Sequence, residues 1–435
     1  MALSSELNSS YRPSSALVTE KYTPLLEIKL EKSDTKLIQE IVQNRIKVFA
    51  DMDVKVDRLT YLAIESLEHY AELEVGKNPP MVVVSSNRSG WIKNGYDKAN
   101  RILESIFPSE PSFKTVTDPR VFKEGPVPFY LPIRMTPEEA STRNVYLFVA
   151  NDEYYTYYKA FKDTNITVIG WRTEGTLRLT GFGGSRYAAL EFFKLLLSKY
   201  KVCSSIWMLD DNVSYIRNFP GLAAVEGQLG TLFGLGFNGG TQVIAESKFI
   251  EMAKLPAPTP VAANLHSEAP ILQQAVLWNV AQFLKADLSF SPYFITSAED
   301  TSLTKFLGLK NCKYYSGCKI LKGETYPDQS IGVEVLQETK NILLNCCYQS
   351  KYDVPFSCAV VPQAKTLSTV ITEARDAATS PPKIVNVADE ENLQQTYSKA
   401  VEQILSMALA KNIALPERLF KPPGLWIASK LMPKS

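Results

Sequence analysis

Histidine is almost missing from this 435-residue chain, with only His69 and His266 present. The six cysteines, Cys203, Cys312, Cys318, Cys346, Cys347 and Cys358, contain no Cys-x-x-Cys pair. Together these shortages leave little material for a structural zinc site. Reduced thiols in an intracellular protein, cytoplasmic or nuclear, are the expectation. No run of about 20 apolar residues exists, so no membrane span is expected. The first ten residues, MALSSELNSS, lack the cationic start and apolar core of a secretory signal. An excess of one charge is also missing: 47 Lys and Arg face 46 Asp and Glu, for a net charge of +1. That argues against a protein wrapped in nucleic acid, while leaving room for a local basic groove.

What is present is ordinary for a soluble globular chain, 45% hydrophobic and 21% charged. Its length suits two or three domains of roughly 150 residues. Residues 1–78 read as a helical N-terminal region, because Leu37, Ile41, Ile46, Phe49, Leu59, Leu62, Ala63 and Leu67 recur near helical spacing. Residues 79–330 alternate apolar strands with helices. The strands are Met81–Ser85, Asn144–Val149, Ile166–Gly170 and Ser205–Leu209, with a helix over Ser185–Tyr200 before the last of them. A further helix is expected over about Pro270–Leu284, after the rigid Pro256–Pro260 stretch. Residues 331–435 read as an α+β extension ending in an amphipathic helix over Glu390–Lys411. The fold class is therefore α/β, an open Rossmann-like sheet with a helical element before it and an α+β extension after it. In such sheets ligands bind beyond the carboxyl ends of the strands. That directs attention to Ser85–Arg88, Ala150–Glu153 and Asp210–Asn212.

The strongest chemical signal is Trp207-Met208-Leu209-Asp210-Asp211-Asn212. An apolar strand that delivers two adjacent carboxylates must offset both their repulsion and their desolvation. A divalent cation, Mn2+ or Mg2+, relieves both and shares its shell with phosphate oxygens. Asp210, Asp211 and Asn212 are thus candidate metal ligands, and His266 is a candidate for completing the shell. The plainer readings are a turn start for the acids and a structural role for the histidine. Gly234-Leu235-Gly236-Phe237-Asn238-Gly239-Gly240-Thr241 lacks a Walker lysine; it reads as a close-approach loop or a tight turn.

The run Gly183-Gly184-Ser185-Arg186-Tyr187-Ala188-Ala189, a helix, a strand and then Asp210-Asp211-Asn212 is similar to GT-A glycosyltransferases. Within that fold the chain resembles the group associated with base J synthesis in DNA, over roughly residues 80–310. The resemblance implies a nucleotide-sugar donor, such as UDP-glucose, and a hydroxyl acceptor such as a hydroxymethylated base in DNA, or a protein. It implies that Arg186 contacts the donor diphosphate or base. A guanidinium at a helix N-terminus suits phosphate through its own fork and through free backbone N–H groups. Ser86 and Arg88 would lie beside the nucleotide, and Asp152 and Glu153 would hold its base or ribose. Glu299-Asp300, in Ser297-Ala298-Glu299-Asp300-Thr301-Ser302, resembles the Glu-Asp motif from which one carboxylate acts as general base on the acceptor. Capping of the following helix explains the same residues without chemistry. Asn212 departs from the family, whose acidic motif often has a third Asp there.

Two other functions compete. A nucleotidyltransferase would use a similar metal site, but its Lys-containing Gly-rich first loop is missing. A degenerate transferase domain acting as a binding scaffold would explain Asn212. Lys305, Lys310, Lys313, Lys319 and Lys322, with Tyr314 and Tyr315, form a basic and aromatic stretch that suits a nucleic-acid groove or a solvated surface.

Overall fold

The computed structural model describes residues 56–106, 127–131, 142–175, 181–238, 242–243, 265–266, 272–292, 299–308, 310–323, 355–358, 361–366 and 426–431. Four apolar runs form the centre of an α/β sheet. They are β2 (Met81–Val84), β3 (Val145–Ala150), β4 (Ile166–Gly175) and β5 (Ile206–Asp210). These strands are parallel and lie in the order β4-β3-β2-β5. A strand covered on both faces has no solvent side, which is why they read as continuous hydrophobic runs.

One face of the sheet packs on α2 (Ser89–Ile106) and α3 (Tyr154–Phe161). Met81, Val83, Leu147, Val149 and Leu209 share that core with Ile92, Ala99, Tyr154 and Phe161. The other face carries α4 (Phe182–Tyr200), whose Phe192 and Phe193 meet Tyr61, Phe148 and Tyr146 edge-on at 5.3 to 5.5 Å. Each large apolar side chain buried this way contributes about 1.5–3 kcal/mol.

The sheet continues to ten strands. On the β4 side lie β1 (Val56–Ala63), antiparallel to β4, and then β15 (Trp426–Leu431). Beyond β5 lie β10 (Leu272–Trp278), antiparallel to it, then β7 (Gly234–Asn238), β11 (Cys312–Tyr315) and β9 (Leu265–His266). A second sheet joins β6 (Val213–Arg217), β12 (Lys319–Lys322) and β8 (Gln242–Val243). β13 (Pro355–Cys358) and β14 (Val361–Thr366) form a separate pair. The remaining helices are α1 (Leu67–Leu73), α5 (Leu222–Gly227), α6 (Val280–Ala286) and α7 (Glu299–Leu307). Among the described residues no helix is long and apolar enough to cross a membrane.

The chain lays down β2, β3 and β4 outward on one side, then returns through α4 to place β5 on the other side of β2. The strand order reverses between β2 and β5. This leaves a crevice outside their carboxyl ends, the place where open α/β sheets bind ligands.

Three expectations are corrected. Residues 56–63, assigned to a helical region, form β1; Leu59, Leu62 and Ala63 are buried by sheet pairing, and a short apolar run fits either period. The helix expected over 270–284 divides into strand β10 and short α6, joined where Asn279 caps α6 by accepting from Gln282 N at 3.1 Å. The glycines of 234–238 lie in strand β7, not a phosphate loop. A Cβ on Gly234 would meet the Trp278 ring at 2.5 Å, and one on Gly236 would meet Ala275 O at 2.9 Å. Strand packing against β10 explains them. The readings of residues 34–55, 256–260 and 390–411 lie outside the described residues.

Candidate functional site

The crevice is built from the ends of β2, β3 and β5, the first turns of α4 and α7, and the end of β12. β5 emerges on Asp210, and Asp211-Asn212 turns the chain into β6. The two carboxylates separate there. Asp211 turns toward β2, where its Oδ2 accepts from Ser85 Oγ at 2.7 Å and its Oδ1 from Arg88 Nη1 at 2.5 Å. Tyr157 OH stands 2.7 Å from Ser85 Oγ and accepts from Arg88 N at 2.9 Å. Since Ser85 gives its proton to Asp211, it accepts from Tyr157. Tyr130 OH donates to Asp211 O at 3.0 Å and fixes the turn from behind.

Asp210 faces the opposite group. Arg186 Nη2 donates to its Oδ1 at 2.6 Å and Lys322 Nζ to its Oδ2 at 2.7 Å. Arg186 also donates from Nε to Glu299 Oε1 at 2.9 Å, tying α4 to the first turn of α7. The helix that carries Arg186 begins at Gly181, which has no side chain to cap the first turn. Lys322 arrives from far along the chain because β12 pairs antiparallel with β6, and Gly323 N donates to Asn212 O at 2.7 Å. A Cβ on Gly323 would meet the Trp91 ring at 2.5 Å, so glycine is needed for that approach.

The titration behaviour follows from these contacts. Burial pushes Asp210 upward, but Lys322 and Arg186 outweigh it and hold the carboxyl well below the usual range. Burial opposes the charge on Arg186, and Asp210 and Glu299 more than restore it. Asp211 is raised by burial, with Arg88 and Ser85 opposing. Asp300 is pushed up to about 7, first by burial and then by neighbouring Glu299. Its Oδ1 accepts from Thr301 N at 2.6 Å. Glu153 is also raised to about 7, chiefly by burial. It accepts from Ser86 Oγ at 2.9 Å and from Asn87 N at 3.0 Å through Oε1.

Most of the candidates thus meet. Ser86 and Glu153 bond to each other, Arg88 pairs with Asp211, and Arg186 links Asp210 to Glu299 beside Asp300. Asp152 lies next to them in the turn before α3 and adds to the rise of Glu153. His266 lies in β9, where its backbone pairs with Tyr314 of β11; its side chain is outside the described residues. Tyr157 and Tyr130 are site residues that the sequence reading did not name, and Ser85 entered only as the start of the Ser85–Arg88 cluster. Lys322 had been grouped with a basic stretch, and Tyr315 from that stretch is buried against Phe237 at a ring separation of 5.9 Å.

The residues present fit a hard divalent cation in donor type, since Asp210, Asp211 and Asn212 offer only oxygen. Asn212 Oδ1 is buried and has no hydrogen-bond partner among the described residues. Every carboxylate oxygen of Asp210 and Asp211, however, already bonds to a protein donor. Among the described residues no group of three or more His, Cys, Asp or Glu side chains is arranged to hold a metal. Cations and carboxylates together at a strand-order reversal can grip a diphosphate, and an acid raised to about 7 can take a proton near neutrality. No family model matches the chain, and no curated protein is found to be similar to it.

Proposed function

We propose that the chain is a GT-A-like glycosyltransferase that moves a sugar from a nucleotide-sugar donor to a hydroxyl acceptor. The observation that carries this reading is the meeting of Arg186, Lys322 and Arg88 with Asp210 and Asp211 beyond β2 and β5, with Glu299-Asp300 facing Arg186.

Each residue then has a task. Ser86 and Glu153, with Asp152, hold the ribose or base at the ends of β2 and β3. The unpartnered Glu153 Oε2 is an acceptor awaiting a donor from the base. Arg186 and Lys322 neutralise the diphosphate as the sugar departs. Asp300 takes the proton of the acceptor hydroxyl, because Arg186 pairs with Glu299 and, among the described residues, forms no salt bridge with Asp300. Asp210, Asp211 and Asn212 would hold Mn2+ or Mg2+, which supplies further charge neutralisation at the leaving diphosphate when bound.

The test is nucleotide release from UDP-glucose and other nucleotide sugars, with Mn2+, in the presence of hydroxymethylated DNA or protein acceptors. Release that Arg186→Ala abolishes is the expected result. Absence of release, together with no thermal stabilisation by any nucleotide sugar, rules the reading out.

A further inference from the structure

The ion-paired groups of the crevice are matched before any ligand arrives, with Asp300 and Glu153, both raised to about 7, outside that count. Asp210, Asp211 and Glu299 carry three negative charges, and Arg88, Arg186 and Lys322 carry three positive ones. Both Asp210 oxygens are taken by cations, one each from Arg186 and Lys322. A diphosphate entering this balanced and largely buried site adds about two uncompensated negative charges. A divalent cation entering alone adds two uncompensated positive ones. Either addition by itself is opposed by the low local dielectric, and the two together are neutral. Asp210 is the carboxylate open to the crevice, its side chain 21% exposed against 7% for Asp211 and 6% for Glu299.

We propose that Asp210 stands in for the donor diphosphate in the ligand-free protein: the diphosphate takes over Arg186 and Lys322, and the released Asp210 carboxylate accepts the divalent cation. This rests on the nucleotide-sugar reading and deepens it. Lys322 and Arg186 are diphosphate ligands held in place by an internal anion, and Asp210 is a cation ligand masked until the donor arrives. Nucleotide and cation therefore bind as a linked pair. By thermodynamic reciprocity, each raises the affinity for the other by the same factor. Arg88 stays on Asp211, which Ser85 and Tyr130 anchor to β2 and the preceding segment.

The experiment titrates the full chain with Mn2+ alone, read by loss of the free-ion paramagnetic resonance signal. UDP, GDP, ADP and CDP are titrated by calorimetry in EDTA and again in saturating Mn2+. The preferred nucleoside diphosphate is expected to bind about 10- to 100-fold more tightly with Mn2+, and Mn2+ to gain equally from the nucleotide. Lys322→Met is expected to strengthen Mn2+ binding in the absence of nucleotide and to weaken nucleotide binding. Asp210→Asn is expected to do the reverse, strengthening nucleotide binding in EDTA and abolishing the gain from Mn2+. These opposite signs separate exchange from simple damage to the fold, and either variant alone suffices. Equal nucleotide affinity in EDTA and Mn2+ overturns the exchange while leaving the transferase reading intact. So does Mn2+ binding in Lys322→Met that is no tighter than in the parent. No binding of any nucleoside diphosphate under either condition overturns both.

Discussion

The two ends of the parallel strands β2, β3 and β5 use acids in different ways. At the amino edge, Glu74 accepts from Tyr146 OH at 2.6 Å and Asn144 Nδ2 at 2.7 Å, and Glu226 takes both Arg143 and Trp207 Nε1. Those donors come mainly from neutral groups or from turns beside the strands, and they tie α1 and α5 to the sheet. At the carboxyl edge the acids are bound by long cationic side chains sent from separate places, the turn before α2, α4 and β12. Arg88 Nε, Glu153 Oε2 and Asn212 Oδ1 are left without partners there among the described residues. A network of short, local hydrogen bonds holds a shape. A network of cations on carboxylates can be transferred to an incoming anion, because the cation finds an equivalent partner in the ligand.

The largest effect that sharpens this contrast is on chemistry. Asp300→Asn is expected to lower turnover by about 10²- to 10⁴-fold with little change in donor KM. A rise in KM at constant turnover would move Asp300 into the binding group. Arg143→Ala, at the other edge, leaves the half-buried Glu226 without its cation and is expected to cost about 1–3 kcal/mol in urea unfolding. Nucleotide affinity of the folded variant should not move; if it does, the two edges are not independent. Glu299→Gln keeps an acceptor for Arg186 Nε but removes one negative charge beside it, and calorimetry in EDTA is expected to show nucleotide binding strengthened by less than in Asp210→Asn.

Smaller is the pH effect. Asp300 is held at about 7 against an ordinary 3.8, and Glu153 at about 7 against 4.5. The native state therefore keeps protons that the unfolded chain has lost. The stability these groups contribute is complete below about pH 4 and disappears as pH rises through about 7. Asp210 acts with the opposite sign: its carboxyl is depressed, so its contribution is present above about pH 4 and is lost as pH falls further. Urea midpoints of parent and Asp300→Asn across pH 4–8 check this, the variant showing the shallower fall. The smallest effect is Lys93→Ala, whose exposed pair with Asp97 on α2 contributes about 0.3–0.5 kcal/mol. It should change neither edge.

Much of the frame was legible before folding. The four central strands were readable because fully buried parallel strands are apolar at every position, and α4 because its N-terminal glycines precede a long apolar helix. Asp210-Asp211 stood out because acids at the end of such a strand need partners. β1 was misread because Leu59, Leu62 and Ala63 satisfy helical and extended spacing alike. β7 was misread because its glycines answer to Trp278, a neighbour no local pattern announces. Lys322 was visible only as one lysine among several, since the pairing of β12 with β6 brings it to Asp210 across 112 residues of chain.

The sequence by itself determined the apolar strands of the sheet and the presence of acids at the end of β5, since both follow from local composition and from the cost of burying a charge. Only the tertiary structure decided what those acids touch. Adjacent residues at a strand end point apart, so Asp211 meets β2 and Arg88 while Asp210 meets α4 and β12. Those partners are set by strand order and sheet pairing, long-range terms that single-residue chemistry does not contain.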